Sequence, residues 1–193
     1  MRPSHPRRGT SIDLALTRRH GAPPKPAKAA LTRLLVHTWL CATGRPRAAV
    51  RARIARASAG QMRLTQVRTG NLRARTTAHA SCPWHTRLAL DIMLVDDREI
   101  AAFNLSHLKH RGPTDVLSFP LGEFDPERRA YHLGEIVVSF ETAHREAAAR
   151  GLPYAEELSR YCVHGFLHLL GYTDDTEAQR REMFAIQEKI VAG

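Results

Sequence analysis

The sequence predicts an α+β fold: one domain built on a mixed sheet of about four strands, packed by helices and interrupted by a basic disordered insertion. Three observations carry that expectation. Leu88, Leu90, Ile92 and Leu94 alternate with other residues, the period of a strand that buries one face. Ile136, Val137 and Val138 stand in a row, as in a strand buried on both faces. From Glu141 to the C-terminus the apolar spacing becomes helical.

Taken in order, residues 1–10 are rich in Pro and Arg without periodicity and read as a disordered tail. Residues 11–44 read as the N-terminal strand and helix of that domain. Ile12, Leu14 and Leu16 alternate within Ser11 to Thr17, Gly21 to Pro26 is a breaker-rich loop, and Leu31, Leu34, Leu35 and Trp39 are spaced as a helix closed by Gly44. Residues 45–84 hold Arg, Ala and Thr with no sustained period, and read as a basic insertion or linker whose role would be phosphate contact.

Residues 85–193 read as the core. After the Leu88 strand, Asp96 and Asp97 supply a turn and an N-cap for a helix from about Arg98 to Leu108. Thr114 to Phe119 reads as a strand ended by Pro120, Gly122 to His132 as a surface loop, and Leu133 to Phe140 as the doubly buried strand. Three helices follow: Glu141 to Arg150 ending at Gly151, a second started by Pro153, and a third from Thr176 to Val191. Thr176 and Gln179 have the spacing of a capping box.

Charge narrows the class of partner. The net charge is +10, but the first 90 residues hold 18 Lys or Arg against one acid, Asp13, whereas residues 91–193 hold 11 against 18. A strongly basic half suits a polyanion, and nucleic acid is the commonest. The longest apolar run, near Leu34 to Cys41, is broken by His37 and Thr38, and no apolar segment follows the basic N-terminus. Neither a membrane span nor a secretion signal is expected. Cys41, Cys82 and Cys162 are odd in number and far apart, which fits a reducing cytoplasm.

The chemistry concentrates in His164-Gly165-Phe166-Leu167-His168-Leu169-Leu170-Gly171-Tyr172-Thr173-Asp174. Histidines four residues apart on a helix are about 40° apart around its axis and one turn along it, so both imidazoles can reach one ion. Gly171 is the residue type that ends a helix in the left-handed conformation, which lets the chain double back and bring Asp174 to the same point. Two imidazoles and a carboxylate leave a fourth position open, the arrangement of catalytic zinc. Leu158, Cys162, Phe166 and Leu169 form the apolar stripe, and Glu157, Tyr161, His164 and His168 share a different face.

With that segment, Pro113-Thr114-Asp115-Val116-Leu117-Ser118-Phe119-Pro120 and Leu133-Gly134-Glu135-Ile136-Val137-Val138-Ser139 complete a pattern that resembles the YbeY family of bacterial endoribonucleases. The resemblance covers Leu88 to about Val191 well and Ser11 to Gly44 weakly. It implies a zinc-dependent, single-strand-specific ribonuclease acting in 16S ribosomal RNA 3′-end maturation and ribosome quality control, with precursor 16S rRNA and the ribosome or its small subunit as partners.

Two departures stand out. The family's third ligand is usually His, where this chain has Asp174, and zinc accepts a carboxylate there. The family usually carries an Arg four residues after the Asn of its Leu-Asn block; counted from Asn104, that position is Leu108. Lys109 and Arg111 in the same turn are the candidates to contact phosphate or stabilise transition-state charge in its place. Two other readings compete. One is a non-catalytic RNA-binding or ribosome-associated module with a vestigial metal site. The other is a zinc peptidase, against which Gly165 counts, because peptidases of the H-E-x-x-H type place a glutamate there.

Overall fold

The strands line up in the order β1-β2-β4-β3, in one mixed sheet. In this computed structural model, which describes residues 11–19, 28–43 and 87–192, β1 (Ile12–Arg18) runs parallel to β2 (Leu88–Val95) and β2 parallel to β4 (Ala130–Ser139), while β3 (Val116–Asp125) pairs antiparallel with β4 at the edge. The expected tail at 1–10 and basic insertion at 45–84 lie outside the described residues. The helices are α1 (Lys28–Thr43), α2 (Asp97–Phe103), α3 (Phe140–Arg150), α4 (Tyr154–Leu169) and α5 (Glu177–Val191). The α+β class with a mixed four-stranded sheet is thus the one the sequence predicts.

Alternation decides which helix meets which face. Leu88, Leu90, Ile92 and Leu94 of β2 join Ile136 and Val138 of β4 in the large core, against Leu158, Cys162, Phe166 and Leu169 of α4. Val95 and Val137 point to the other face, where they enclose Ile100 of α2 with Leu117. The sheet is therefore covered on both sides, as the row Ile136-Val137-Val138 requires. Helix α4 is the hub, touching α1, α3, α5, β3 and β4. Each fully buried Leu or Phe on it stabilises the fold by about 1.5–3 kcal/mol relative to exposure.

Two expectations are corrected. Pro120 does not end its strand, and 122–132 is not a loop: β3 runs on to Asp125 and returns through a four-residue turn at 126–129 into β4. Pro120 is tolerated because β3 is the edge strand, and the pairing shifts register between Pro120 and Glu123. The helix after Asp96 holds α geometry only to Phe103 and widens to a π turn over Asn104–Leu108, which Lys109 closes at φ 63°. Buried Asn104 donates through Nδ2 to the Gly112 carbonyl, 3.0 Å away, which ties that turn to the approach of β3. Glu157, on the face of α4 away from the apolar stripe, is nonetheless enclosed. It is 0% exposed, with its carboxylate paired to Arg160 and, at 3.3 Å, to Arg150.

The start of α2 is pinned by the end of β4 and by α3. Asp96 caps α2 by accepting from the Glu99 amide at 2.7 Å, and Asp97 accepts from the hydroxyls of Ser139 and Thr142 and pairs with Arg145 on α3. Burial pushes the Asp97 carboxyl up, but hydrogen bonds from Ser139, Arg145 and Thr142 outweigh it and hold the group below its ordinary 3.8. A depressed carboxyl adds stability that is fully present above its unfolded pKa and lost as pH falls through the folded one. Asp97→Asn is therefore expected to cost about 1–3 kcal/mol at neutral pH and much less near pH 2. Denaturant melts at the two pH values check this; an equal cost at both would contradict it.

Candidate metal centre

The last turn of α4 shapes the site. Gly171, at φ 83°, takes the left-handed position after the helix, and the Gly171 and Tyr172 amides donate to the carbonyls of His168 and Leu167 at 2.8 and 3.0 Å. This paired closure satisfies the helix's last carbonyls and reverses the chain at once. The reversal carries Asp174 back over α4: one ligand atom each from His164, His168 and Asp174 all lie within 4.8 Å of one another. The three candidate ligands are brought together.

Hydrogen bonds orient both rings. His168 Nδ1 is 3.0 Å from the Tyr172 carbonyl oxygen, which can only accept, so Nδ1 carries the proton. His164 Nδ1 is 2.9 Å from Gln187 Oε1 on α5. Both rings turn Nε2 inward, and the two nitrogens stand 3.1 Å apart with the ring planes at 85°. Two lone pairs at that distance repel unless a cation or proton lies between them. Tetrahedral zinc with bonds of about 2.0–2.1 Å sets its nitrogen ligands roughly 3.3 Å apart, so the spacing fits such an ion. Burial, and after it the charge of His164, push the His168 pKa below 6.5, which keeps the ring neutral and able to ligate at pH 7.

The site opens on a cleft of about 650 Å³ between the edge strand and the end of α4, lined by Leu108, Val116, Ser118, Pro120, both histidines and Tyr172 among others. Leu108 is 43% exposed and faces this cleft. Lys109 and Arg111 are exposed on the same turn; the Lys109 ammonium donates to the Ser106 carbonyl at 2.9 Å.

Position 165 has a geometric reason to be glycine. A Cβ there would lie 2.8 Å from Ile136 Cγ2 and 3.0 Å from both Ser118 Oγ and Val116 Cγ2. This face of α4 sits directly on the sheet, and the Gly165 carbonyl accepts from Ser118 Oγ at 3.0 Å. A glutamate has no room at the place where the H-E-x-x-H peptidases carry theirs.

Sequence reasoning missed Gln187 and the Tyr172 carbonyl. Gln187 did leave a signal, because Met183, Gln187 and Ile190 share the buried stripe of α5 and a polar residue among apolar ones needs a partner. The Tyr172 carbonyl left none, since a backbone group has no side-chain signature.

An α+β domain whose hub helix turns two imidazoles to an open cleft, with a carboxylate from the following reversal within 4.8 Å of them, defines a candidate metalloprotein. The Endoribonuclease YbeY family model matches residues 58–193, and the chain belongs to the YbeY endoribonuclease family. It is similar to endoribonuclease YbeY of Moorella thermoacetica, 45% identical over 111 residues that cover 54% of this chain and 71% of that protein. The YbeY of Persephonella marina is 42% identical over 102 residues (52% and 67%), and that of Thermobifida fusca 36% over 114 (56% and 74%). No helix among the described residues is long and apolar enough to cross a membrane.

Proposed function

We propose that this protein is a zinc-dependent, single-strand-specific endoribonuclease acting in the cytoplasm in 16S rRNA 3′-end maturation and in ribosome quality control. One observation carries the metal-dependent part of the reading: two inward-facing Nε2 atoms 3.1 Å apart on histidines that line the cleft, with an Asp174 oxygen within 4.8 Å. His164, His168 and Asp174 would hold the zinc, which would supply a Lewis acid able to polarise a phosphodiester and to lower the pKa of a water towards 7. The chain's own residues do the rest. Tyr172 and Gln187 engage the outer nitrogens of the rings, Leu108 of the π turn lines the cleft, and Lys109 and Arg111, exposed just beyond it and outside the cleft lining, are the cations assigned to a substrate phosphate.

Zinc content of the purified protein, measured together with cleavage of a single-stranded RNA, tests this reading. Chelation is expected to lower cleavage by at least about 100-fold, with recovery on adding zinc. Lys109→Ala and Arg111→Ala are each expected to slow cleavage about 10-fold, the loss of roughly 1.4 kcal/mol of transition-state contact. Undiminished cleavage in chelator would sink the metal-dependent reading, and the roles given to Lys109 and Arg111 fall if neither variant slows the reaction.

Leu108 favours one second reading, a non-catalytic RNA-binding or ribosome-associated module. An apolar side chain faces the cleft where the family's usual Arg would stand. Such a module would keep its RNA affinity after His164→Ala and show no metal-dependent cleavage at all.

A further inference from the structure

Gln187 sits on α5 at 2% exposure, and both ends of its amide are engaged. Oε1 lies 2.9 Å from His164 Nδ1, and Nε2 donates to Glu188 Oε1 at 2.9 Å. An amide can be turned over, so its orientation needs a reason. Glu188 provides one. Its carboxylate accepts from Arg160 Nε at 2.9 Å and from a second Arg160 nitrogen at 3.2 Å, and an ionised carboxylate offers only acceptors. The NH₂ end of Gln187 must face it. The carbonyl end must then face His164, and an acceptor at Nδ1 puts the ring proton there and the lone pair on Nε2.

Arg160 is itself held in place. Its guanidinium also pairs with Glu156 at 3.2 Å and with buried Glu157, both on its own helix α4. Hydrogen bonds from Arg160 hold the Glu188 carboxyl below its usual range, against its partial burial. The order of dependence therefore runs Glu157 and Glu156, Arg160, Glu188, Gln187, His164, across the seam between α4 and α5.

We propose that Gln187 is a positioning residue for the metal centre: held by the Glu188–Arg160 ion pair, it fixes the His164 tautomer so that Nε2 is free to bind a metal. This rests on the metal reading above only for its purpose, since the tautomer exists with or without an ion. It assigns a function to a charge network that otherwise looks like ordinary packing between helices. Outer partners of this kind commonly contribute 10- to 100-fold in metal affinity.

The test uses the full chain in two variants. Gln187→Met keeps the volume of the buried side chain and removes the acceptor; Glu188→Gln, on a half-exposed residue, keeps Gln187 but removes the constraint on its amide. The nitrogen chemical shifts of His164 in zinc-free protein report the tautomer, and chelator competition reports zinc affinity. Wild type is expected to show Nδ1–H, Gln187→Met to show mainly Nε2–H, and Glu188→Gln to show a mixture. Zinc affinity is expected to fall about 10- to 100-fold in Gln187→Met and by less in Glu188→Gln. Retention of Nδ1–H in both variants overturns the proposal, as does zinc affinity in Gln187→Met within about two-fold of wild type. If wild type binds no zinc, the metal reading fails by itself, and the tautomer shifts still decide whether Gln187 sets the ring. If Gln187→Met does not fold, the Glu188→Gln spectrum decides.

Discussion

Replacing His168 by alanine is expected to lower zinc affinity by at least about 100-fold while leaving the zinc-free fold in place. Both ring nitrogens of His168 are engaged: its Nδ1 is tied to the Tyr172 carbonyl and its Nε2 faces His164 at 3.1 Å. Removal leaves one imidazole and one carboxylate, too few to hold zinc tightly. The zinc-free protein loses one hydrogen bond, a cost of about 0.5–1.5 kcal/mol. It is also relieved of two opposed lone pairs. The helix end itself stays closed, because the Gly171 and Tyr172 amides bond to backbone carbonyls. Zinc titration against a competing chelator, with thermal melting of the zinc-free protein, checks both halves. Unchanged affinity in a folded variant would mean that the ion, if any, is held elsewhere.

Gly134→Ala is expected to have the largest effect on stability, about 3 kcal/mol or more, with a drop in Tm of about 10 °C. Gly134 pairs with Leu90 on one side and Pro120 on the other, next to the shifts in register on both. Its φ is 153°, and a Cβ would stand 2.3 Å from the Phe119 carbonyl oxygen and 2.9 Å from Leu169 Cδ2. The first contact is with backbone, which cannot swing aside; the second is with the last residue of α4, beside His168. Stress at this position therefore reaches the site, and zinc affinity is expected to fall along with Tm. A thermal melt of Gly134→Ala within a degree or so of wild type would show that the sheet can absorb the added methyl.

Much of the fold was legible because its signals are local. The Leu88 to Leu94 alternation and the Leu158 to Leu169 stripe are set by the 2.0 and 3.6 periods of strand and helix, and both point where the periods say. The capping box at Thr176 and Gln179 needs only a three-residue spacing, and both of its hydrogen bonds form. Pro120 misled because proline carries two meanings, a strand breaker in the middle of a sheet and a tolerated residue at its edge. Strand order alone distinguishes them, and strand order is not local. Glu157 gave no local sign of its burial either: it stands off the apolar stripe of α4, and Arg150 from α3 and Arg160 close over it.

By itself the sequence determined the elements, the helix reversal at Gly171, and the gathering of His164, His168 and Asp174 within one turn and a short loop. All of these depend on residues close together in the chain, where backbone geometry leaves few choices. Only the tertiary structure decided what surrounds them. It put Leu108 rather than a cation on the cleft wall, pressed Gly165 against the sheet, and brought Gln187 to the back of His164 from 23 residues away. The physical reason is that a ligand needs only its own helix to be placed, whereas its protonation state depends on whichever group the packing sets against its far side.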